Sequence, residues 1–126
     1  MPSKRVFKLK TFSRWAKNLV SDTALCRAAR EIELGIFEAD LGGGVCKKRV
    51  ALPGRGKRGS ARTLVAKKHG GAIFFLAGRE KNNPGDDFSD KVIETTKILA
   101  KSLEDLSDAK LSEMIESKTL EEICNE

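Results

Sequence analysis

The sequence of 126 residues contains no tyrosine, one tryptophan, one histidine and three cysteines. It has no apolar run close to the roughly 20 residues that a membrane-spanning helix needs. Its first residues lack the apolar stretch of a secretory signal, and residues 45–69 contain neither Asp nor Glu. These absences argue against a membrane protein and against a catalytic site of paired carboxylates within that segment.

The few potential metal ligands are scattered along the chain. Cys26, Cys46 and Cys124 form no C-x-x-C motif and no Cys/His pair of the kind that holds zinc. His69 stands beside a predicted turn and is interpreted as a surface residue rather than a catalyst. An odd, widely spaced set of cysteines is typical of the reduced cytosol, so we expect a cytoplasmic protein without a metal or other cofactor.

Size and charge indicate one domain with two electrically different parts. The 13.8 kDa chain is 40% hydrophobic and 33% charged, which predicts a single globular domain over residues 1–126. Residues 1–81 carry a net charge of +13, and residues 82–126 a net charge of −7. The asymmetry predicts a nucleic-acid-binding surface on the first part and an acidic helical segment in the second.

The acid-free segment 45–69 holds nine cations: Lys47, Lys48, Arg49, Arg55, Lys57, Arg58, Arg62, Lys67 and Lys68. These charges repel one another on folding unless water or a polyanion screens them. A solvated surface and a phosphate-binding surface both remain open, and the absence of interspersed acids favours phosphate.

Residues 54–59 spell G-x-G-x-x-G, the pattern of dinucleotide-binding loops. That pattern requires a helix directly after the glycines, whereas the residues after Arg62 favour a strand. We therefore interpret the segment as a flexible hairpin loop in which Arg55, Lys57 and Arg58 approach a phosphodiester.

The first 35 residues predict a strand and two helices. Val and Phe favour an extended backbone over Arg5–Leu9. A helix with Thr11 as N-cap should follow, and then a second helix that begins at Ser21 or Asp22 and ends at Gly35 in a left-handed conformation. Their apolar stripes are Phe12, Trp15, Ala16 and Leu19, then Leu25, Ala28, Ala29 and Ile32.

Three extended segments follow the glycine run at residues 42–44, namely 45–52, 62–69 and 72–81. Gly70-Gly71 predicts a tight hairpin between the last two. Residues 73–77 are apolar on both faces, which is typical of a central strand that is covered on both sides.

The C-terminal part predicts helices. A long amphipathic pattern begins at Ser89, and Ser107 or Asp108 caps a shorter one, whereas residues 120–125 are compatible with a helix, a strand or a frayed tail. The element order predicts an α+β fold: an N-terminal strand, two helices and a three-stranded meander in a small antiparallel sheet backed by helices.

One face of this sheet is expected to pack on the helices and the other to be open. Strand alternation puts Lys47 and Arg49 on one face and Lys48 on the other. The open face should display five cations: Lys47, Arg49, Arg62, Arg79 and Lys81.

Cations alone are able to promote RNA cleavage by the neighbouring 2′-hydroxyl. Crowding and partial burial depress the pKa of a lysine, which makes it usable as a base. Arginine stays charged and stabilises the phosphorane-like transition state. The 2′-hydroxyl also distinguishes RNA from DNA.

The string from Lys47 to Ala51 (KKRVA), the glycine loop, Arg62 and residues 78–82 (GREKN) resemble the RelE/ParE toxin superfamily, specifically the RelE/HigB-like mRNA interferases of type II toxin–antitoxin systems. The resemblance implies a RelE-like fold and a ribosome-dependent toxin that cuts mRNA in the ribosomal A site. It also implies partners: the ribosome, mRNA and a cognate antitoxin, often a helix-turn-helix protein.

The resemblance also implies roles for particular residues. Lys47 and Arg49 would be paired catalytic cations, Arg62 the transition-state arginine and Lys81 the cation that ends the last strand. The RNA-binding set is predicted to be Lys48, Arg55, Lys57, Arg58, Arg79 and Phe88.

The chain departs from the family pattern at two points. Many relatives carry a tyrosine near the C-terminal end, whereas this chain has no tyrosine; Phe88 lies close to that place and has a ring to stack but no proton to exchange. Relatives often read K-N-E where this chain has Lys81-Asn82-Asn83. A non-enzymatic binder, either a ParE-like gyrase inhibitor or an orphan RNA-binding protein, is the alternative.

The acidic residues 82–126 have three interpretations. They form a solvated amphipathic helix, or their carboxylates lean across the cationic groove and tune it, or their apolar stripe docks the antitoxin.

Overall fold

The computed structural model describes residues 5–52, 60–67, 72–80 and 87–124. Six strands and four helices lie in these ranges: β1 (Arg5–Leu9), α1 (Lys10–Ala16), α2 (Asp22–Glu33), β2 (Ala39–Gly42), β3 (Val45–Ala51), β4 (Ser60–Lys67), β5 (Ala72–Glu80), α3 (Asp90–Glu104), α4 (Asp108–Glu116) and β6 (Leu120–Ile123). None of the helices in the described ranges has the length and apolarity to cross a membrane.

The six strands form one sheet in the order β2-β3-β4-β5-β1-β6. β1 runs parallel to β5, and the other neighbouring pairs are antiparallel. This confirms the predicted α+β class, and it confirms β5 as a central strand.

Helices cover both faces of the sheet, and each face has its own hydrophobic core. The core beneath α1 and α2 includes Phe12, Leu25, Ile32, Val65 and Phe75. The core beneath α3 and α4 includes Phe7, Leu64, Phe74, Leu103 and Leu111. Because neighbouring residues of a strand point to opposite faces, Phe74 and Phe75 belong to different cores.

The prediction that one sheet face is open is therefore wrong for most of that face. Val45, Leu64 and Phe74 are buried on it and pack with residues of the C-terminal helices, because apolar side chains on both faces require cover on both faces. The predicted cations of β3, β4 and β5 occupy the remaining end of this face.

Three of the four helices in the described ranges begin at serine caps near the predicted helix starts. The structure selects Ser21 over Asp22 and Ser107 over Asp108, and it adds a cap at Ser89, where the sequence predicts the start of a helical pattern. Ser21, Ser89 and Ser107 accept hydrogen bonds from backbone N–H groups of α2, α3 and α4, respectively. Gly35 adopts the predicted left-handed conformation, with φ of +82°. The Thr11 cap is wrong: β1 runs directly into α1, whose N-cap position is Leu9 with no side-chain hydrogen bond.

Two short edge strands complete the sheet. β2 is absent from the prediction because its sequence, ADLG, has no β-branched or aromatic residue. It pairs with β3 through a hairpin at Gly42, Gly43 and Gly44, all with positive φ. Of the three options for the C-terminal residues, the structure shows a strand over Leu120–Ile123, β6, which pairs antiparallel with β1; residue 125 lies outside the described residues. The predicted turn at Gly70-Gly71 lies outside the described residues.

Two of the three cysteines pair despite their separation in the sequence. Cys26 on α2 and Cys124 after β6 form a disulfide across 98 residues, with Cα atoms 5.6 Å apart. The interpretation of all three as reduced thiols is therefore wrong for this pair, because the fold, not the spacing, brings them together. Cys46 is a free, buried thiol.

Candidate functional site

Three arginines lie side by side on the neighbouring strands β3, β4 and β5. In the strand register, Arg49 on β3 is the direct partner of Arg62 on β4, and Arg62 is the partner of Arg79 on β5. Directly opposed residues share a face, with Cβ atoms about 4.5–5.5 Å apart. Like charges in such pairs destabilise a sheet, so this row indicates a site for an anion.

Lys47 extends the row on the same face. It lies two residues before Arg49 on β3, and its register partner on β4 is Leu64. We call Lys47, Arg49, Arg62 and Arg79 the cation patch. The fold thus brings together the predicted catalytic residues that the structure describes.

The four residues of the cation patch differ in how far they are exposed to solvent. The side chains of Lys47 and Arg62 are 19% and 18% exposed, whereas Arg49 and Arg79 are exposed. Partly buried cations interact more strongly with an anion than fully solvated ones, because water screens them less. A phosphate group placed at the cation patch would therefore interact most strongly with Lys47 and Arg62.

Asp87, just before α3, contacts the two partly buried cations. Its Oδ2 accepts a hydrogen bond from Lys47 Nζ, and its Oδ1 lies 3.8 Å from Arg62 Nη1. Burial would raise the pKa of Asp87, but Lys47, the Phe88 N–H and the charge of Arg62 together hold it below its ordinary value. The sequence does not single out Asp87, although one interpretation of residues 82–126 is that their carboxylates lean across the cationic groove.

The end of β5 is held from the opposite face by α1. Gly78, next to Arg79, lies against the indole of Trp15, so a Cβ at this position would overlap ring carbons of Trp15. Glycine is required because a larger residue would push Trp15 away. Trp15 and Gly78 therefore support the strand that carries Arg79.

The cation patch suits phosphate recognition. Lysine and arginine donate charge-assisted hydrogen bonds to phosphate oxygens, and arginine does so in a bidentate manner. No group of three or more His, Cys, Asp or Glu side chains in the described ranges is placed to hold a metal ion.

Residues 4–123 match the model of the RelE toxin of the RelE / RelB toxin–antitoxin system. The chain belongs to the RelE toxin family. A comparison with curated proteins gave no match.

Membership in the RelE family makes the protein a toxin of a toxin–antitoxin system, with an antitoxin as partner. Toxins of this family are generally endoribonucleases that inhibit translation. The family assignment confirms the resemblance on which the sequence-based roles of Lys47, Arg49 and Arg62 depend; those roles stay predictions.

Two predicted RNA-binding residues of this RelE-family chain lie away from the cation patch. Lys48 points to α2, where its Nζ pairs with Glu31 Oε1 at 2.9 Å, and it also donates to the carbonyl of Ile36, which lies after the end of α2, at 3.0 Å. The Phe88 ring is buried in the core beneath α3 and α4, so it offers no open face to a base. Their RNA-binding roles stay predictions and are not part of the site that we propose.

Four other predicted site residues lie outside the described residues. They are Lys81, predicted to be catalytic, and Arg55, Lys57 and Arg58 of the glycine loop. Because β3 and β4 flank the loop and β5 precedes Lys81, these four residues are joined in the sequence to the strands of the cation patch.

Proposed function

We propose that this RelE-family toxin is a ribosome-dependent endoribonuclease of the cytoplasm that cleaves mRNA in the ribosomal A site. The observation that supports it best is the Arg49–Arg62–Arg79 row, with Lys47 beside it. A ribose-phosphate strand that crosses β3, β4 and β5 would meet a cation on each strand. A cognate antitoxin, of the helix-turn-helix type, neutralises the toxin.

The proposed reaction is attack of a ribose 2′-oxygen on the adjacent phosphorus. The new O2′–P bond forms as the P–O5′ bond breaks, which leaves a 2′,3′-cyclic phosphate and a free 5′-hydroxyl. Arg62 stabilises the charge of the pentacoordinate transition state, while Lys47 and Arg49 hold the phosphate oxygens. In its neutral form, Lys81 would accept the 2′-hydroxyl proton, and water would protonate the departing 5′-oxygen. The proposed reaction uses no metal.

Induction of the toxin in cells that carry a reporter gene tests this proposal. We expect translation of the reporter to stop and its mRNA to be cut within codons, as primer extension would show. Arg62→Ala should lower the cleavage rate by about 10²–10³-fold, the usual loss when one transition-state donor is removed. Intact reporter mRNA after induction of folded wild-type protein would contradict the proposal.

Arg27→Ala is the matched control for Arg62→Ala. Arg27 is an exposed arginine of α2, which packs on the opposite face of the sheet. We expect this variant to cleave at the wild-type rate, since it removes the same charge far from the cation patch.

A separate experiment tests the ribosome dependence. Purified toxin is mixed either with naked mRNA or with mRNA on programmed ribosomes, and we expect cleavage only with ribosomes.

The second candidate is an RNA-binding protein that does not cleave. The observation in its favour is that the chain has no tyrosine and that Phe88, near the family position, is buried. This candidate predicts inhibited translation with intact mRNA. A ParE-like gyrase inhibitor would instead give DNA damage signalling with intact mRNA, and it does not obviously need a row of arginines.

A further inference from the structure

The cation patch of the free protein already holds an anion, the carboxylate of Asp87. One oxygen accepts from Lys47 Nζ, and the other accepts from the Phe88 N–H at 2.7 Å and faces Arg62 Nη1 at 3.8 Å. Lys47 and Arg62 are the two partly buried members of the patch. The carboxylate thus lies where an oxygen of a bound phosphate would make the best contacts.

We propose that Asp87 is a built-in competitor of the RNA phosphate: it occupies the Lys47–Arg62 anion position in the free toxin and gives way when a phosphodiester binds. That the displacing phosphate belongs to RNA rests on the proposed function. Competition between Asp87 and any phosphate depends only on the geometry of the cation patch. Asp87 lowers the affinity of the cation patch for the phosphodiester backbone of RNA and takes no part in the cleavage reaction.

The surroundings of Asp87 keep its carboxylate beside the cations. The next residue, Phe88, is anchored by a ring buried in the core beneath α3 and α4, and Ser89 caps α3 through its contact with the Val92 N–H. The backbone on the C-terminal side of Asp87 is therefore fixed. The Asp87 side chain is 36% exposed, so it has room to turn toward water when a phosphate displaces it.

Charge determines the expected effect of removing the competitor. The four cations of the patch repel one another, and Asp87 offsets part of that repulsion. An asparagine has nearly the same shape and keeps an oxygen for the Phe88 N–H, but it has no charge. A phosphate would then meet one more uncompensated positive charge, and its binding should release about one more counterion.

The test measures binding of a single-stranded 2′-deoxy oligonucleotide, which has no 2′-hydroxyl and is not cleaved. Fluorescence anisotropy at several salt concentrations compares the wild type, Asp87→Asn and the control Glu116→Gln, which removes an exposed carboxylate of α4. We expect Asp87→Asn to bind about three- to ten-fold more tightly, with a steeper salt dependence, and Glu116→Gln to change affinity less than about two-fold. Unchanged or weaker binding by Asp87→Asn would overturn the proposal, and weaker binding would indicate that Asp87 only positions Lys47 and Arg62.

A second measurement keeps the proposal testable if Asp87→Asn does not fold. Titration of wild-type toxin with inorganic phosphate, followed by carboxyl-carbon NMR, should shift the Asp87 signal as Lys47 exchanges its partner. The Glu116 signal serves as the reference. An Asp87 signal that stays in place while phosphate binds to the cation patch would overturn the proposal.

Failure of this inference is distinguishable from failure of the proposed function. If Asp87→Asn binds the deoxy oligonucleotide more tightly but neither protein cuts mRNA on induction, the competitor is supported and the ribonuclease is not. If the wild type cuts mRNA and Asp87→Asn shows no gain in affinity, the ribonuclease is supported and the competitor is overturned.

Discussion

Lys47 and Lys48 are neighbours in the sequence, yet the fold gives them opposite environments. Lys48 is 4% exposed, points to α2 and pairs with Glu31. Lys47 points to the other face, belongs to the cation patch and contacts Asp87. The density of positive charge in residues 45–69 does not separate a structural cation from a functional one. Strand alternation does, because it assigns each lysine to a face.

The largest expected effect is the difference in mRNA cleavage rate between variants of the two lysines. Lys47→Ala should lower mRNA cleavage by about 100-fold, because it removes a cation that holds the reacting phosphate. Lys48→Ala, measured on folded protein, should change cleavage less than about three-fold, since its charge lies on the far face of the sheet. Quantitative primer extension after induction measures both rates. Equal losses in the two variants would contradict the assignment of Lys48 to a structural role.

The face of Lys48 should also be closed to reagents. Cys46 lies on that face of β3 and is buried, and burial raises its pKa from 9.0 to about 11. The thiolate that reacts with iodoacetamide should therefore be about 100 times scarcer than in an ordinary thiol at pH 8. Mass spectrometry should find one labelled cysteine only after unfolding of the oxidised protein. Labelling of the native protein as fast as free glutathione would show that this face opens.

For stability we expect the reverse order, with a larger loss when Lys48 is replaced than when Lys47 is replaced. Lys48→Ala removes the donor to the Ile36 carbonyl and the partner of Glu31, and it should lower the free energy of unfolding by about 2 kcal/mol. Because the Glu31 side chain is 44% exposed, water solvates it after the change, which keeps the loss below that of a fully buried pair. Lys47→Ala should cost less than about 0.5 kcal/mol. Urea denaturation measures both, and a larger loss for Lys47→Ala would reverse the comparison.

Much of this fold is predictable from local sequence signals. Capping and apolar patterns predict where α2, α3 and α4 begin to within a residue. Apolar residues on both faces predict the central position of β5, and the strand period of two puts Lys47 and Arg49 on one face. β2 escapes prediction because its four residues have no strand preference of their own and depend on pairing with β3. The sequence predicts the C-terminal helices and, from the apolar residues on both sides of β5, cover on both faces of that strand. It does not predict that these helices pack over most of the face that carries the cations, because an antiparallel sheet commonly leaves one polar face exposed.

The candidate site is predictable only in part, for a physical reason. Alternation assigns Arg49 to a face, but the register that places it opposite Arg62, and Arg62 opposite Arg79, depends on how three strands pair. Asp87 comes from a segment 25 residues beyond Arg62 in the sequence, and only tertiary packing brings it to the patch. The Cys26–Cys124 disulfide is likewise not predictable from the sequence, because only the fold brings the two residues together.

The smallest expected effect is a pH dependence of the free energy of unfolding, caused by Asp87 on the face of the sheet that carries Lys47. The pKa of Asp87 is below its ordinary value, so its ion pairs add stability above the unfolded-state pKa, and this stability is lost as pH falls through the folded-state value. Asp87→Asn should therefore be less stable than the wild type at pH 7, by well under about 1 kcal/mol because the carboxylate is partly exposed, and the gap should close toward pH 2. Urea denaturation at both pH values, with Glu116→Gln as control, measures it. A gap that persists at low pH would show that shape, rather than charge, links Asp87 to the cation patch.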